Sequence, residues 1–192
     1  EEYLDINIDY KDTEIRRVLD KSVTQDLDTL LQLTSSPNPT LRLFAAKSFA
    51  SFQSPQAVDS LINLLQDQFL EVRAASAYAL GQIRDDKAGP HLLKAFAQQD
   101  SIDVNNIFNG NILEAMGKLG DAKLLTSLAS VTTYRNSDTL LLEGQARAIY
   151  QYGLRTIFDP EAQKTMFNFL EGDFPESIRK IAANYFFRFS EL

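Results

Sequence analysis

The sequence contains no cysteine, no tryptophan and a single histidine. Without cysteine there can be no disulfide, no thiol nucleophile and no cysteine-ligated zinc or iron–sulfur centre. The compartment stays open on that ground, because many envelope proteins also lack cysteine. No apolar run comes near the roughly 18 residues needed to cross a bilayer, and no signal peptide is visible, so membrane insertion of this segment is not expected. Positive charge is scarce as well: 19 Lys and Arg stand against 26 Asp and Glu, a net charge of −7. Duplex binders need a basic face to displace phosphate counterions, and no cluster of Lys and Arg provides one. Nucleic acid is therefore excluded as an expected partner. The chain opens Glu1-Glu2 without a methionine, which points to a processed or shortened N-terminus.

What the sequence does have is a repeat. Its 192 residues are 44% apolar and 23% charged, enough to bury a core without metal or disulfide. Four segments share one pattern of apolar helix, polar turn and Ala-rich helix: Leu27–Phe52, Val58–Ile83, Ala88–Gly120 and Ala122–Leu154, with a divergent fifth at Ala162–Phe189. Aligning the ends of the second helices puts Ala50, Gly81, Gly117, Gly153 and Phe187 in register, at spacings of 31, 36, 36 and 34 residues. Two helices per period of that length is the signature of a helical-repeat solenoid. In the second unit Val58, Leu61, Ile62 and Leu65 fall at i, i+3, i+4 and i+7, one apolar stripe. Its second helix carries Ala74, Ala75, Ala77 and Ala79, small residues that let a neighbouring helix approach. The second helices are expected at 40–52, 71–83, 107–118, 140–154 and 176–189. Gly81, Gly117 and Gly153 are read as left-handed C-terminal caps.

The stretch Leu64–Ile83, LLQDQFLEVRAASAYALGQI, resembles the HEAT repeat in its bacterial form, the form also seen in phycobilin lyases. Leu64, Leu65, Asp67, Val72, Arg73, Ala79, Leu80 and Gly81 carry the motif. The resemblance implies an all-α fold, a right-handed α-α superhelix of about five helix pairs. The segment 1–24 is read as an N-terminal stretch with a capping helix, and 25–192 as one solenoid domain. A narrower similarity covers about the first 157 residues. Glu14–Leu31, Leu41–Val58, Ala74–Asp85, Ile112–Gly120 and Leu141–Ile157, in that order, resemble the N-terminal HEAT region of bacterial proteins that end in a cyclophilin-type prolyl isomerase domain. That resemblance implies a fragment of a longer chain. Nothing within these residues resembles the cyclophilin core. It also implies an exported family, which favours the cell envelope, periplasmic or lipid-anchored, over the cytoplasm.

No catalytic constellation, cofactor motif or metal-ligand set is found. His91 follows Pro90 at a helix start and has no partner at ligand or dyad spacing. Asp100, Asp103 and Asn105 suggest a calcium loop, but counting from Asp103 the required sixth-position glycine is Phe108. There is no phosphate-cradling glycine pattern, and adjacent carboxylates such as Asp85-Asp86 read as solvated turns. Arg42, Arg73 and Arg179 recur at one repeat position, with Asp67 and Asp173 six residues before the latter two. They read as a structural ladder between turns. Asn109 and Gln145 occupy the arginine's position in the third and fourth units.

Those two units are the longest, and insertions in a solenoid map to one face that is often used for binding. Asn105, Asn106, Asn109, Asn111, Tyr134 and Arg135 are the candidate partner contacts. The last unit crowds Phe167, Phe169, Phe174, Tyr185, Phe186, Phe187 and Phe189 together. Phe186 and Phe189 share a helix face while Tyr185 and Phe187 point elsewhere. A terminal repeat should be polar outside, so Tyr185 and Phe187 are candidate interface residues, covered by a further domain or a second copy. The function expected is a non-catalytic scaffold for protein or peptide partners. The client-binding or regulatory arm of a prolyl isomerase is the alternative, and a chromophore-lyase-like role a third reading.

Overall fold

A computed structural model of the chain describes residues 26–98, 106–131 and 138–189, together with 13, 15, 16 and 20. Candidates Asn105, Tyr134 and Arg135 lie outside these residues. In the N-terminal segment the four described positions are helical, and Ile15 is buried.

Ten α-helices occupy the described residues. They are α1 Leu27–Leu33, α2 Pro39–Phe52, α3 Val58–Leu64, α4 Leu70–Ile83, α5 Gly89–Gln98, α6 Asn106–Leu119, α7 Ala122–Ala129, α8 Thr139–Gly153, α9 Pro160–Glu171 and α10 Glu176–Arg188. Single 3₁₀ turns at Pro55–Ala57 and Asp86–Ala88 lead into α3 and α5. The chain falls into two compact units, Glu1–Ala95 and Phe96–Leu192.

Local chemistry starts the helices. Asp26, Asn38, Asp121 and Asp159 each accept a hydrogen bond from a first-turn backbone N–H, satisfying a donor that has no partner within the helix. Pro39 and Pro160 occupy the first helical position, where a missing N–H costs nothing. Within the first unit α2 packs on α4. Within the second α6 packs on α8, α8 on α10, and α7 on α9. Second helices thus stack on second helices and first on first, the layering that a repeat with two apolar stripes requires. Leu61, Val72, Leu80, Phe108, Ile112 and Leu113 are fully buried, each contributing about 1.5–3 kcal/mol by removal from water.

Gly81, Gly117 and Gly153 do not act as caps. Left-handed residues end α2, α4 and α6, but they are Gln53 (φ 52°), Arg84 (φ 61°) and Gly120 (φ 76°). Gly81 and Gly117 sit inside their helices and Gly153 is the last residue of its own. Gly117 is there for close approach: a Cβ on it would lie 2.4 Å from the Cα of Ala148. Likewise a Cβ on Gly144 would stand 2.5 Å from the carbonyl oxygen of Gly110. Bare backbone lets α6 and α8 touch, and any side chain at the crossing would push them apart.

Candidate functional site

The register of α6 and α8 sorts their residues into two sets. Phe108, Asn109, Ile112, Leu113 and Met116 turn inward and are buried. Ile107, Gly110, Asn111 and Glu114 recur at three- and four-residue steps on the opposite side, as do Leu140, Glu143, Gly144 and Arg147 on α8. These eight residues line a cleft of about 190 Å³. Its floor is the Gly110–Gly144 crossing, and its apolar end is formed by Ile107 and Leu140, 49% and 55% exposed. A second cleft of about 380 Å³ is lined by Glu114 and Arg147 again, with Tyr150, Gln151, Ile181 and Asn184. The two share Glu114 and Arg147, so they form one groove along the second helices α6, α8 and α10.

Ion pairs along each helix order the groove's charges. Lys118 Nζ lies 2.7 Å from Glu114 Oε1, and Arg147 Nη2 lies 3.0 Å from Glu143 Oε2. Behind the groove, Tyr152 donates to the Asp121 carbonyl at 2.9 Å and the Met116 carbonyl at 3.3 Å. Burial, reinforced by the nearby Asp121 charge, pushes its phenol well above the ordinary tyrosine value. Arg155 donates to the Gly117 and Lys118 carbonyls and so closes the C-terminal end of α6.

Of the candidate contacts, Asn111 lines the smaller cleft and Asn106 opens α6. Asn109 does not face a partner. It is 2% exposed, and its Oδ1 has no hydrogen-bond partner among the described residues. Its place under Arg42 and Arg73 in the repeat carries that signal, since this register points inward. Tyr185 is also corrected: it is 1% exposed, its ring edge-on to Phe186 and Phe189 at 5.2 and 5.1 Å. Phe187 is 87% exposed. His91 is exposed in the first turn of α5.

The repeat arginines hold turns. Arg42 Nη1 donates to the carbonyls of Ser36 and Pro37, and Arg73 Nη1 to those of Asp67 and Gln68, six and five residues back in both cases. Arg42 also makes a two-point bond to the Asp67 carboxylate, at 2.6 and 3.0 Å, and lies over the Phe69 ring. Asp67 in turn accepts from the Phe69 N–H. Arg179 and Asp173 differ, since both are exposed, at a helix pair with no following repeat among the described residues.

A family model described as HEAT repeats matches residues 27–107. Among solved structures, the chain is similar to one from the complex of CpcE and CpcF of phycocyanin lyase from Nostoc sp. PCC7120. The identity is 23% and the TM-score 0.64, over 93% of this chain and 73% of that one. It is also similar to an engineered protein, at 19% identity and a TM-score of 0.51, over 83% and 77% of the two chains. At such identities the likeness shows the fold alone, an all-α helical-repeat fold of the HEAT type. No curated protein matches the sequence.

The turn-tying position of the HEAT motif continues past the matched residues in altered chemistry. Gln145 Nε2 donates to the carbonyls of Leu128, Ala129 and Val131, so an amide does there what guanidinium groups do in the first two units. The sequence reading missed Glu114, Glu143, Arg147, Tyr150, Gln151, Ile181 and Asn184 as groove residues. On α6 and α8 the signal lies in the three- and four-residue steps from Ile107 and Leu140, but polar side chains at such steps look the same as a solvated helix face. Among the described residues no helix is long and apolar enough to cross a membrane.

Proposed function

We propose that this chain is a non-catalytic scaffold that binds another protein, and that the groove on α6, α8 and α10 is where it does so. One observation supports this most: two adjoining clefts share walls of bare helix surface, with exposed Ile107 and Leu140 at one end. Exposed apolar side chains beside a polar rim are the pattern of a recognition surface. The test is to measure partner affinity by calorimetry for wild type and for Leu140→Asp, which buries a charge against the partner. Affinity is expected to fall at least tenfold with an unchanged melting temperature. Equal affinity would remove the groove as the site.

The likeness to a phycocyanin lyase complex prompts a second reading, a chromophore-lyase-like role that needs a pigment-bearing protein partner. A visible absorbance band appearing on a partner protein mixed with bilin and this chain would favour it. The third reading, an arm of a prolyl isomerase, gains no support from the comparisons. It stands on the resemblance of the first 157 residues alone.

A further inference from the structure

We infer that the groove takes an extended segment of its partner carrying an apolar side chain and, two residues further on, a lysine or arginine. This rests on the protein-binding reading of the same groove and adds the chemistry of what enters it.

Length comes first. From Leu140 to Gln151 the groove follows twelve residues of α8, about 16 Å at the helical rise. An extended chain covers that in about five residues, with side chains i and i+2 on one face about 6.6 Å apart. Two clefts sharing Glu114 and Arg147 fit two such side chains. The smaller cleft selects an apolar group. Ile107 and Leu140 flank it, and the floor of Gly110 and Gly144 offers backbone with no side chain in the way.

Charge selects the other group. Among the described residues three charged ones line the groove, two carboxylates (Glu114 and Glu143) and one cation (Arg147). Arg147 pairs with Glu143 at 3.0 Å and Lys118 with Glu114 at 2.7 Å, so each carboxylate already carries one counter-charge from its own helix. The Lys118 pair engages Oε1 of Glu114 from outside both clefts, and a carboxylate has lone pairs for further donors. Tyr150 lines the same cleft as Glu114. The chain's net charge of −7 also draws a basic segment toward the surface and disfavours an acidic one.

The experiment is fluorescence anisotropy with labelled seven-residue peptides, Gly-Ser-Leu-Ser-Arg-Ser-Gly and versions with Glu or Gln for Arg, or Ser for Leu. The whole chain is used, as wild type, Glu114→Gln and Leu140→Asp, with thermal melts as folding controls. Wild type is expected to bind the Leu/Arg peptide at least tenfold tighter than the Leu/Glu peptide, with affinity falling as salt rises. Glu114→Gln should cut that preference to threefold or less, and Leu140→Asp should weaken every peptide that contains Leu. Equal or tighter binding of the Leu/Glu peptide, or no binding of any peptide, overturns the inference. If a partner protein still loses affinity to Leu140→Asp in that case, the groove reading survives and only the basic-segment chemistry is lost.

Discussion

Replacing Gly144 with alanine tests the packing on which the groove is built. Alanine inside a helix is worth about 1 kcal/mol more than glycine, so on propensity alone the change should stabilise α8. The crossing reverses the sign. The new Cβ would stand 2.5 Å from the Gly110 carbonyl oxygen and 2.8 Å from the Gly110 Cα. Ordinary carbon–oxygen contacts lie near 3.3 Å, so α6 and α8 would have to separate by roughly 0.8 Å. A gap of that size forfeits a quarter to a half of each contact's dispersion energy along the crossing, and both obstacles are backbone. Overpacking of this kind costs about 1–3 kcal/mol after any propensity gain. For a chain of this length each kcal/mol lowers the melting temperature by about 2–4 °C, so a drop of roughly 2–12 °C is expected. Calorimetry of Gly144→Ala beside Arg147→Ala, an exposed position one turn on, reads the difference. A Gly144→Ala melting temperature at or above wild type would refute the close approach.

Other expectations follow from single contacts. Gln145→Ala leaves the carbonyls of Leu128, Ala129 and Val131 without their shared donor and should cost about 1–3 kcal/mol in denaturant unfolding. Arg84→Gly relieves a left-handed residue at φ 61° and should stabilise by about 0.5–1 kcal/mol, after the added freedom of the unfolded chain is counted. Tyr152 keeps its proton in the folded state above the pH at which the unfolded chain loses it. Stability should therefore be constant in this group's contribution below about pH 10 and fall above it, by up to about 1.4 kcal/mol per pH unit. Tyr152→Phe should flatten that alkaline slope in urea titrations between pH 9 and 11. An unchanged slope would mean the phenol is not held as described.

The helix bounds were legible because they rest on local, repeated signals. Asn38 before Pro39, Asp159 before Pro160 and the Ala-rich run of α4 each announce themselves within a few residues, and the observed second helices match expectation to within about a residue at each end. The glycines were misread because a glycine near a helix end looks the same whether it serves a left-handed turn or a helix crossing. Only the partner helix, some 30 residues away in sequence, decides between them. Gln53 and Arg84 as left-handed caps could not be seen at all, since neither residue type favours that conformation. The burial of Tyr185 is not legible locally, because consecutive aromatics at 185–187 point to several sides of a helix. Its burial depends on Phe189 folding back over Gly153, where a Cβ would meet that ring at 2.6 Å.

The central claim, that this helical-repeat chain binds protein through the groove on α6, α8 and α10, is tested most directly by placing a photo-crosslinking residue at single positions. Positions 107, 140 and 151 lie in the groove, and positions 123 and 164 are exposed on the first helices α7 and α9. Partner protein crosslinked from the groove positions and not from 123 or 164 is the predicted result. Crosslinks from 123 and 164 with none from the groove would contradict it.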